Sequence, residues 1–303
     1  MCIRDRNYIH GCITALITPF DKKGNLDKIT FKKLIRRQIE SGIHGLVPCG
    51  TTGESPTLSH KEHDKVIEIT VREANGKVPV IAGTGSNSTL EAIRLTKAAE
   101  KAGANASLQV VPYYNKPTQR GLFNHFSQIA LKTKLPIILY NIPGRSVVDL
   151  DIKTIIELVK KNRNIIGIKE ASGSIKKVKD IIKNCPKKFI VLSGEDSLNF
   201  SILKQGGKGF ISVTSNLLPK ECSDIYNNFI SGEIKKSEKI NNKLKRFNEF
   251  LFLETNPIPI KFAMNHLKLC SNEIRSPPVS YTHLRAHETP EHLVWRLVLE
   301  KKK

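Results

Sequence analysis

Eight short apolar runs alternate with longer segments of helical period along this chain of 303 residues, and this alternation constrains its fold more than any other feature. The runs are rich in β-branched residues and are followed by Gly, Pro, Ser and Asn, which is typical of strands. They lie at residues 12–17, 45–49, 78–82, 107–111, 137–140, 165–169, 189–192 and 209–213. Apolar residues on both faces indicate parallel strands covered by crossover helices. Eight such units within about 220 residues predict an α/β fold, the closed (β/α)8 or TIM barrel, rather than an open sheet.

Helical segments follow the strands, as at residues 27–41, 59–75, 88–102 and 118–132. After the eighth strand come three more, at residues 219–230, 233–252 and 257–269. A barrel needs one helix after its last strand. The remaining two therefore predict a C-terminal helical appendage. The predicted domains are a barrel at residues 7–231 and C-terminal helices at residues 232–276.

Both ends differ in composition from the rest of the chain. Residues 281–303 hold the only Trp and three of the nine His. We interpret residues 1–6 as a non-native leader and residues 277–303 as a non-native tail, because both resemble translated adapter sequence. His283, His287 and His292 have a spacing that corresponds to no established metal site. We therefore predict no metal.

A formal net charge of +21 raises the question of a nucleic-acid or membrane partner. The lysines are spread along helices, and only 6% of the residues are aromatic, so stacking platforms for bases are not indicated. No run of eighteen apolar residues predicts a membrane span, and the first residues lack an apolar signal core. The six cysteines are scattered without a C-x-x-C pair. This pattern predicts a cytoplasmic protein with reduced thiols that binds neither nucleic acid nor membrane.

The sixth apolar run, IIGIKE, carries Lys169 at its end. Burial disfavours a charged side chain, so an apolar strand end favours the free amine of a lysine. A free amine attacks ketones and forms an imine. The plainer interpretation is a lysine that caps the strand and pairs with a carboxylate.

Two further groups of residues follow strands, and loops in that position meet at the C-terminal mouth of a barrel. In the turn GTTGES, the hydroxyls of Thr51 and Thr52 and the nearby backbone N–H groups can hold a carboxylate. The phenols of Tyr114 and Tyr140 can transfer protons. Taken singly, these residues also fit a tight turn and ordinary packing.

Two more mouth loops carry suitable residues. Arg145, in PGRS, offers a fork of N–H donors to a carboxylate, although a lone loop arginine is usually solvated. Gly194, in LSGED, allows the backbone to approach a ligand closely. Cys49 precedes the GTTGES turn, but no histidine is placed to activate it, so we interpret it as a small buried thiol.

Six segments in this order make the chain similar to the dihydrodipicolinate synthase family over residues 11–274. They are GTTGES, PYYNKPTQ, LYNIPGRS, GIKEASG, LSGED and ISVTSN. The resemblance implies a TIM barrel that condenses pyruvate with L-aspartate 4-semialdehyde in lysine and diaminopimelate biosynthesis. It also implies a homotetramer, a dimer of dimers, without a cofactor.

The resemblance assigns a role to each matching residue. It implies that Lys169 forms the Schiff base and that Tyr140 is the general acid/base. Thr51 and Tyr114 complete a hydroxyl relay, with the tyrosine reaching the neighbouring subunit's site. The substrate-binding residues are Thr52 for the pyruvate carboxylate, Arg145 for the semialdehyde carboxylate, and Gly194 and Ile211 in the pocket floor.

A second site follows from the resemblance, at which L-lysine acts as a feedback inhibitor. Its matching residues are Ser55, Pro56, His60, His63, Asn87, Glu91 and Tyr113. Glu91 suits the α-ammonium of lysine, Tyr113 and Asn87 suit its carboxylate, and His60 can accept from its ε-ammonium. Family members that escape inhibition tend to lack the residues matching Glu91 and His63, and this chain keeps both. The plainer interpretation of His60 and His63 is that they are polar residues in the first turns of a helix.

Two other functions remain open at this point. One is another pyruvate-dependent aldolase, such as N-acetylneuraminate lyase or a keto-deoxy-sugar-acid aldolase, which shares the lysine and the tyrosine at positions 169 and 140. The Thr pair at 51–52, the Tyr pair at 113–114 and Arg145 favour the synthase. The other function is a non-catalytic basic binding protein, which would require the matched residues to have decayed.

Overall fold

Eight parallel strands close around a common axis in the computed structural model, which describes residues 9–277. Their bounds are β1 Gly11–Ala15, β2 Gly45–Val47, β3 Ile81–Gly83, β4 Ala106–Val110, β5 Ile137–Asn141, β6 Ile165–Glu170, β7 Ile190–Ser193 and β8 Gly209–Ser212. Strand β1 pairs with both β2 and β8, and a parallel bridge between Leu46 and Val80 joins β2 to the start of β3. The predicted TIM barrel is confirmed.

Only the third strand departs clearly from its predicted bounds of residues 78–82. The regular ladder begins at Ile81, and Val80 forms an isolated bridge. Pro79 lacks an N–H group and cannot donate to a ladder. Its carbonyl still accepts from the N–H of Leu46 at 2.9 Å. The strand therefore starts after the proline and not before it.

Helices surround the barrel and follow the strands as predicted. Their bounds are α1 Lys28–Glu40, α2 His60–Ala74, α3 Thr89–Ala102, α4 Gln119–Leu131, α5 Pro143–Ser146, α6 Ile152–Lys161, α7 Ile175–Asn184, α8 Asn199–Lys204, α9 Pro219–Ile230, α10 Ile234–Phe250 and α11 Ile258–His266. Helix α2 begins with a capping box, in which the Ser59 hydroxyl and the Glu62 carboxylate each satisfy a backbone N–H of the other. None of these helices is long and apolar enough to cross a membrane.

Apolar side chains form two layers, one inside the barrel and one between the strands and the helices. The inner layer includes Ile13, Ile81, Leu108 and Ile138 and reaches Tyr140 and Ile211 towards the C-terminal ends of their strands. Side chains fill the barrel, as in other barrels of this size. Chemistry is therefore confined to the mouth.

The C-terminal appendage is attached to the mouth by one buried and one partly buried charge pair. Lys261 of α11 is fully buried, pairs with the buried Glu54, and lies 4.4 Å from the ring centroid of Phe20. Arg275 makes two contacts to the Glu62 carboxylate and donates its backbone N–H to Glu54 at 3.0 Å. Glu54 follows the GTTG turn directly, so the appendage fixes one side of that turn.

A buried histidine in α4 predicts that the protein loses stability in acid. His125 is 5% exposed, its Nδ1 lies 2.9 Å from the Thr89 hydroxyl, and no atom of residues 9–277 bonds its Nε2. Burial lowers the pKa of His125 to about 4. An unfolded histidine titrates near pH 6.5, so the unfolded chain binds more protons between these two values. Stability is complete above about pH 6.5 and is lost as the pH falls towards 4, by about 3 kcal/mol.

The measurement is urea unfolding of the wild type and of His125→Gln at pH 7 and pH 4.5. The variant should be less stable at pH 7 but lose less on acidification. Equal losses in the two proteins would contradict the assignment to His125.

Candidate functional site

Lys169 and Tyr140 lie side by side at the mouth of the barrel. They are register partners on the adjacent strands β6 and β5. Lys169 is 7% exposed and Tyr140 is 5% exposed. The Lys169 Nζ is 4.0 Å from the centroid of the Tyr140 ring. The amine and the phenol ring are thus in contact in a site that excludes most water.

Gly194 leaves room for the lysine side chain. A Cβ atom at position 194 would lie 2.9 Å from Lys169 Cε and 2.7 Å from Ala171 Cβ. Both distances are shorter than real contacts of a Cβ atom. Any other residue at this position would therefore force Lys169 or Ala171 to shift. Ile211 of β8 lies in the inner apolar layer beneath the site, and it is 2% exposed.

The turn at residues 50–54 presents two backbone N–H groups. The N–H groups of Gly53 and Glu54 bond to the carbonyls of Gly50 and Thr51, at 3.1 Å each. Within residues 9–277 no acceptor takes the N–H groups of Thr51 and Thr52. These donors suit a small carboxylate. Thr52 is buried, and Thr51 lines the cavity described below.

Asn256, which no sequence pattern predicted as a site residue, connects this turn to Arg145. It lies between α10 and α11, and its Nδ2 donates to Thr52 Oγ1 at 2.9 Å. Its main-chain oxygen accepts from Arg145 Nη2 at 3.3 Å. The C-terminal appendage therefore contributes a residue to the site. No local signal marked Asn256, because its partners are about a hundred and two hundred residues away in sequence.

A second missed pair directly follows the two central residues. Asn141 and Glu170 end strands β5 and β6, and Asn141 Nδ2 donates to both oxygens of Glu170, at 3.2 and 3.1 Å. The backbone N–H of Ser172 donates to the same carboxylate at 2.8 Å. Burial raises the pKa of Glu170. Side chains alternate between the two faces of a sheet, so Asn141 and Glu170 lie on the face opposite to Tyr140 and Lys169. Their bond joins strands β5 and β6. The sequence marked this pair only by placing a polar residue at the end of each strand.

Tyr114 does not join the other candidates within one chain. Its side chain is 89% exposed, and its φ of 72° lies in the left-handed region that side chains rarely adopt. The loop therefore holds the ring away from the body of the protein. Cys49, in contrast, is 2% exposed, and burial raises its pKa well above the usual value. The interpretation of Cys49 as a buried thiol is confirmed.

One cavity of about 380 Å³ contacts both groups of predicted residues. From the catalytic and substrate-binding set, its lining includes Thr51, Tyr140 and Arg145. From the predicted lysine site, it includes Ser55, Pro56, His60, His63, Glu91 and Tyr113. Asn87 does not line it, and its Nδ2 donates to the Tyr113 carbonyl at 3.2 Å. The two predicted sites are thus neighbours around a single space.

Glu91 is the charged centre of the second group. It accepts from the Ser86 hydroxyl at 2.5 Å and from His60 Nε2 at 2.8 Å. These two bonds lower the pKa of Glu91. His63 is buried, and its Nε2–H donates to the Gly83 carbonyl at 2.9 Å. Burial lowers the pKa of His63, which disfavours its charged form. The carboxylate of Glu91 is therefore the natural partner for a cation in this cavity.

No group of three or more His, Cys, Asp or Glu within residues 9–277 could hold a metal ion. The histidines at positions 283, 287 and 292, the proposed leader at residues 1–6 and nearly all of the proposed tail lie outside the described residues.

A barrel with a buried lysine beside a phenol at its mouth has the arrangement of a lysine-dependent lyase. Residues 8–293 match the dihydrodipicolinate synthetase family, and the chain belongs to that family. The match ends within residues 277–303, so the predicted boundary of a non-native tail stays a prediction.

Three comparisons illustrate the likeness. The 4-hydroxy-tetrahydrodipicolinate synthase of Thermodesulfovibrio yellowstonii is 51% identical over 88% of this chain and 91% of its own length. The dihydrodipicolinate synthase of Acinetobacter baumannii, solved with pyruvate, is 42% identical with a TM-score of 0.90, covering 95% of this chain and 98% of that one. The enzyme of Cyanidioschyzon merolae, solved with lysine bound, is 35% identical with a TM-score of 0.90, covering 96% and 98%.

Proposed function

We propose that this protein is a 4-hydroxy-tetrahydrodipicolinate synthase, which condenses pyruvate with L-aspartate 4-semialdehyde. The observation that carries the proposal is the contact between the Lys169 amine and the Tyr140 ring, 4.0 Å apart in a buried mouth. The family membership supports it. The reaction is a step in the biosynthesis of lysine and diaminopimelate, and it takes place in the cytoplasm.

The first half of the reaction uses the lysine. The Lys169 amine attacks the keto carbon of pyruvate, water leaves, and an imine forms. Loss of a methyl proton converts the imine into an enamine, a carbon nucleophile. Tyr140 supplies and removes the protons of these steps, and Thr51 and Tyr114 extend the relay. The N–H groups and hydroxyl at Thr51 and Thr52 hold the pyruvate carboxylate.

The second half forms the carbon–carbon bond. The enamine attacks the aldehyde carbon, whose oxygen takes a proton and becomes the hydroxyl of the product. Arg145 holds the carboxylate of the semialdehyde through its guanidinium fork. The amine of the semialdehyde then attacks the imine carbon, which closes the ring and releases Lys169. The protein needs no cofactor, since imine chemistry supplies the electron sink.

Tyr114 acts across a subunit boundary in this proposal. Tyr114 is 89% exposed and has a left-handed backbone, so its side chain does not pack against its own chain. This position suits insertion of the ring into the barrel mouth of a neighbouring subunit. Leu90, which is 80% exposed, is a second large apolar side chain on the surface of the protein. Two subunits that exchange Tyr114 in this way form a dimer. The proposed assembly is a homotetramer built from two of these dimers.

The test is a coupled assay with pyruvate and L-aspartate 4-semialdehyde, run beside N-acetylneuraminate cleavage. Turnover with the semialdehyde and none with neuraminate supports the synthase. The reverse result would establish a neuraminate lyase, and adduct formation without either activity would point to a keto-deoxy-sugar-acid aldolase. Absence of any pyruvate adduct would leave the non-catalytic binding protein.

L-Lysine is the proposed inhibitor at the cavity around Glu91. A carboxylate that is already ionised and bonded to His60 can exchange that partner for the α-ammonium of lysine. Tyr113 lines the same cavity and adjoins Tyr114, so bound lysine can perturb the relay without touching Lys169. The proposal is supported by the lysine-bound relative described above.

Glu91→Thr should raise the lysine concentration for half inhibition by about 10- to 100-fold, because a hydrogen-bonded charge pair is lost. The measurement is turnover against added L-lysine. Glu68→Gln, an exposed carboxylate on α2 that is paired with Lys65, serves as the matched control. A wild type that is insensitive at millimolar lysine, or equal inhibition of wild type and Glu91→Thr, would refute the proposal.

A further inference from the structure

Asn256 occupies the position between the two residues that are proposed to hold the substrate carboxylates. Its side-chain amide donates to Thr52, and its main-chain oxygen accepts from Arg145. The residue is 6% exposed. It is thus a buried polar group that joins the two residues proposed to hold the substrate carboxylates.

The bond to Thr52 determines the direction of that hydroxyl. Because Thr52 Oγ1 accepts from Asn256 Nδ2, its own hydrogen is available to donate. A carboxylate accepts hydrogen bonds and cannot donate them when ionised. Asn256 therefore prepares Thr52 for the carboxylate of pyruvate.

The other half of the same amide has no partner. Asn256 Oδ1 is buried, and no donor of residues 9–277 reaches it. Leaving a buried carbonyl oxygen without a donor costs free energy, so such an atom calls for an explanation. The nearby acid Glu54 does not compete for the same ligand, because Lys261 and the backbone of Arg275 bind its carboxylate.

We propose that Asn256 Oδ1 accepts a hydrogen bond from the α-ammonium of the aldehyde substrate and so selects a 2-amino aldehyde. The inference rests on the proposed function. In such a substrate the ammonium and the carboxylate share one carbon atom, so their binding groups must be adjacent. Asn256 is in hydrogen-bond contact with Arg145, the residue proposed for that carboxylate. The C-terminal appendage thereby determines which aldehyde the barrel accepts.

The experiment compares L-aspartate 4-semialdehyde with succinate semialdehyde, which keeps the aldehyde and the carboxylate but lacks the amine. Aldehyde consumption is followed in a single turnover on pyruvate-loaded enzyme, so ring closure is not required. The rate of each variant is divided by the rate of the wild type with the same aldehyde. Asn256→Ala should slow the amino aldehyde about 10- to 100-fold more than the deamino compound. Thr255→Ala, at an exposed neighbouring position, is the control and should change neither.

Asn256→Asp separates the two roles of the residue. A carboxylate still accepts from the ammonium, so the preference for the amino aldehyde should be retained or increased. It cannot donate to Thr52, so the pyruvate concentration for half-maximal borohydride trapping should rise. This variant also decides the matter if Asn256→Ala does not fold.

Equal slowing of both aldehydes in Asn256→Ala, or loss of the preference in Asn256→Asp, would overturn the inference while leaving the proposed function intact. Absence of wild-type turnover with pyruvate and the semialdehyde would overturn both.

Discussion

Lys169→Arg should abolish condensation, with a loss in turnover of roughly 10⁴-fold or more. Arginine keeps the positive charge and much of the length of the side chain, but a guanidinium does not form an imine with a ketone. Without the imine there is no electron sink for the methyl carbanion of pyruvate. The assay is the coupled turnover measurement, and Lys208→Arg, an exposed lysine before β8, is the matched control.

The same prediction can be measured directly on the protein. Borohydride in the presence of pyruvate should reduce the imine and add about 72 Da to the peptide that contains Lys169. The adduct should be absent from Lys169→Arg and present in Lys208→Arg. An adduct on a different lysine would assign the imine elsewhere and refute the mechanism.

Tyr140→Phe should reduce turnover by about 10²- to 10⁴-fold, the usual contribution of a general acid/base. The ring that contacts the Lys169 amine remains, so pyruvate should still bind and imine trapping should still reach completion, although more slowly. The measurements are turnover and the extent of borohydride trapping. Tyr226→Phe removes a phenol from another buried ring, which packs against His10 and His44, and serves as the control.

A Tyr140→Phe variant that keeps full turnover would show that another group moves the proton. A variant that loses trapping altogether would show instead that the phenol is needed to hold pyruvate. The two results lead to different mechanisms, and Tyr226→Phe distinguishes either from a general loss of packing.

Most of the barrel could be predicted because its elements are marked locally. Apolar runs identified all eight strands. The predicted helical segments at residues 59–75 and 88–102 begin at the serines that cap α2 and α3, and an N-cap acts within one turn. The exceptions were also local in cause. Pro79 delayed β3, and the four-residue helix α5, which is additional to the helix α6 that follows β5, was missed because one turn of helix carries no readable period.

The site was only partly predictable. Lys169 and Tyr140 were identified because each ends a strand, and strand ends meet at the mouth. Asn141 and Glu170 stand next to them in sequence and were still missed, because a polar residue at a strand end has no evident partner until the register of β5 and β6 is known. The roles of the seven residues of the predicted lysine site stay predictions.

By itself the sequence determined the order of the strands along the chain, the chemistry available at their ends, and the position of the lysine that we propose forms the imine. These follow from periodicity and from single residues, which act over a few positions. Only the tertiary structure decided that the appendage belongs to the site. Asn256 meets Thr52 and Arg145, and Lys261 meets Glu54, because closing the barrel and folding back α11 bring distant segments together. Contacts of this kind depend on the packing of the whole chain, and no local pattern encodes them.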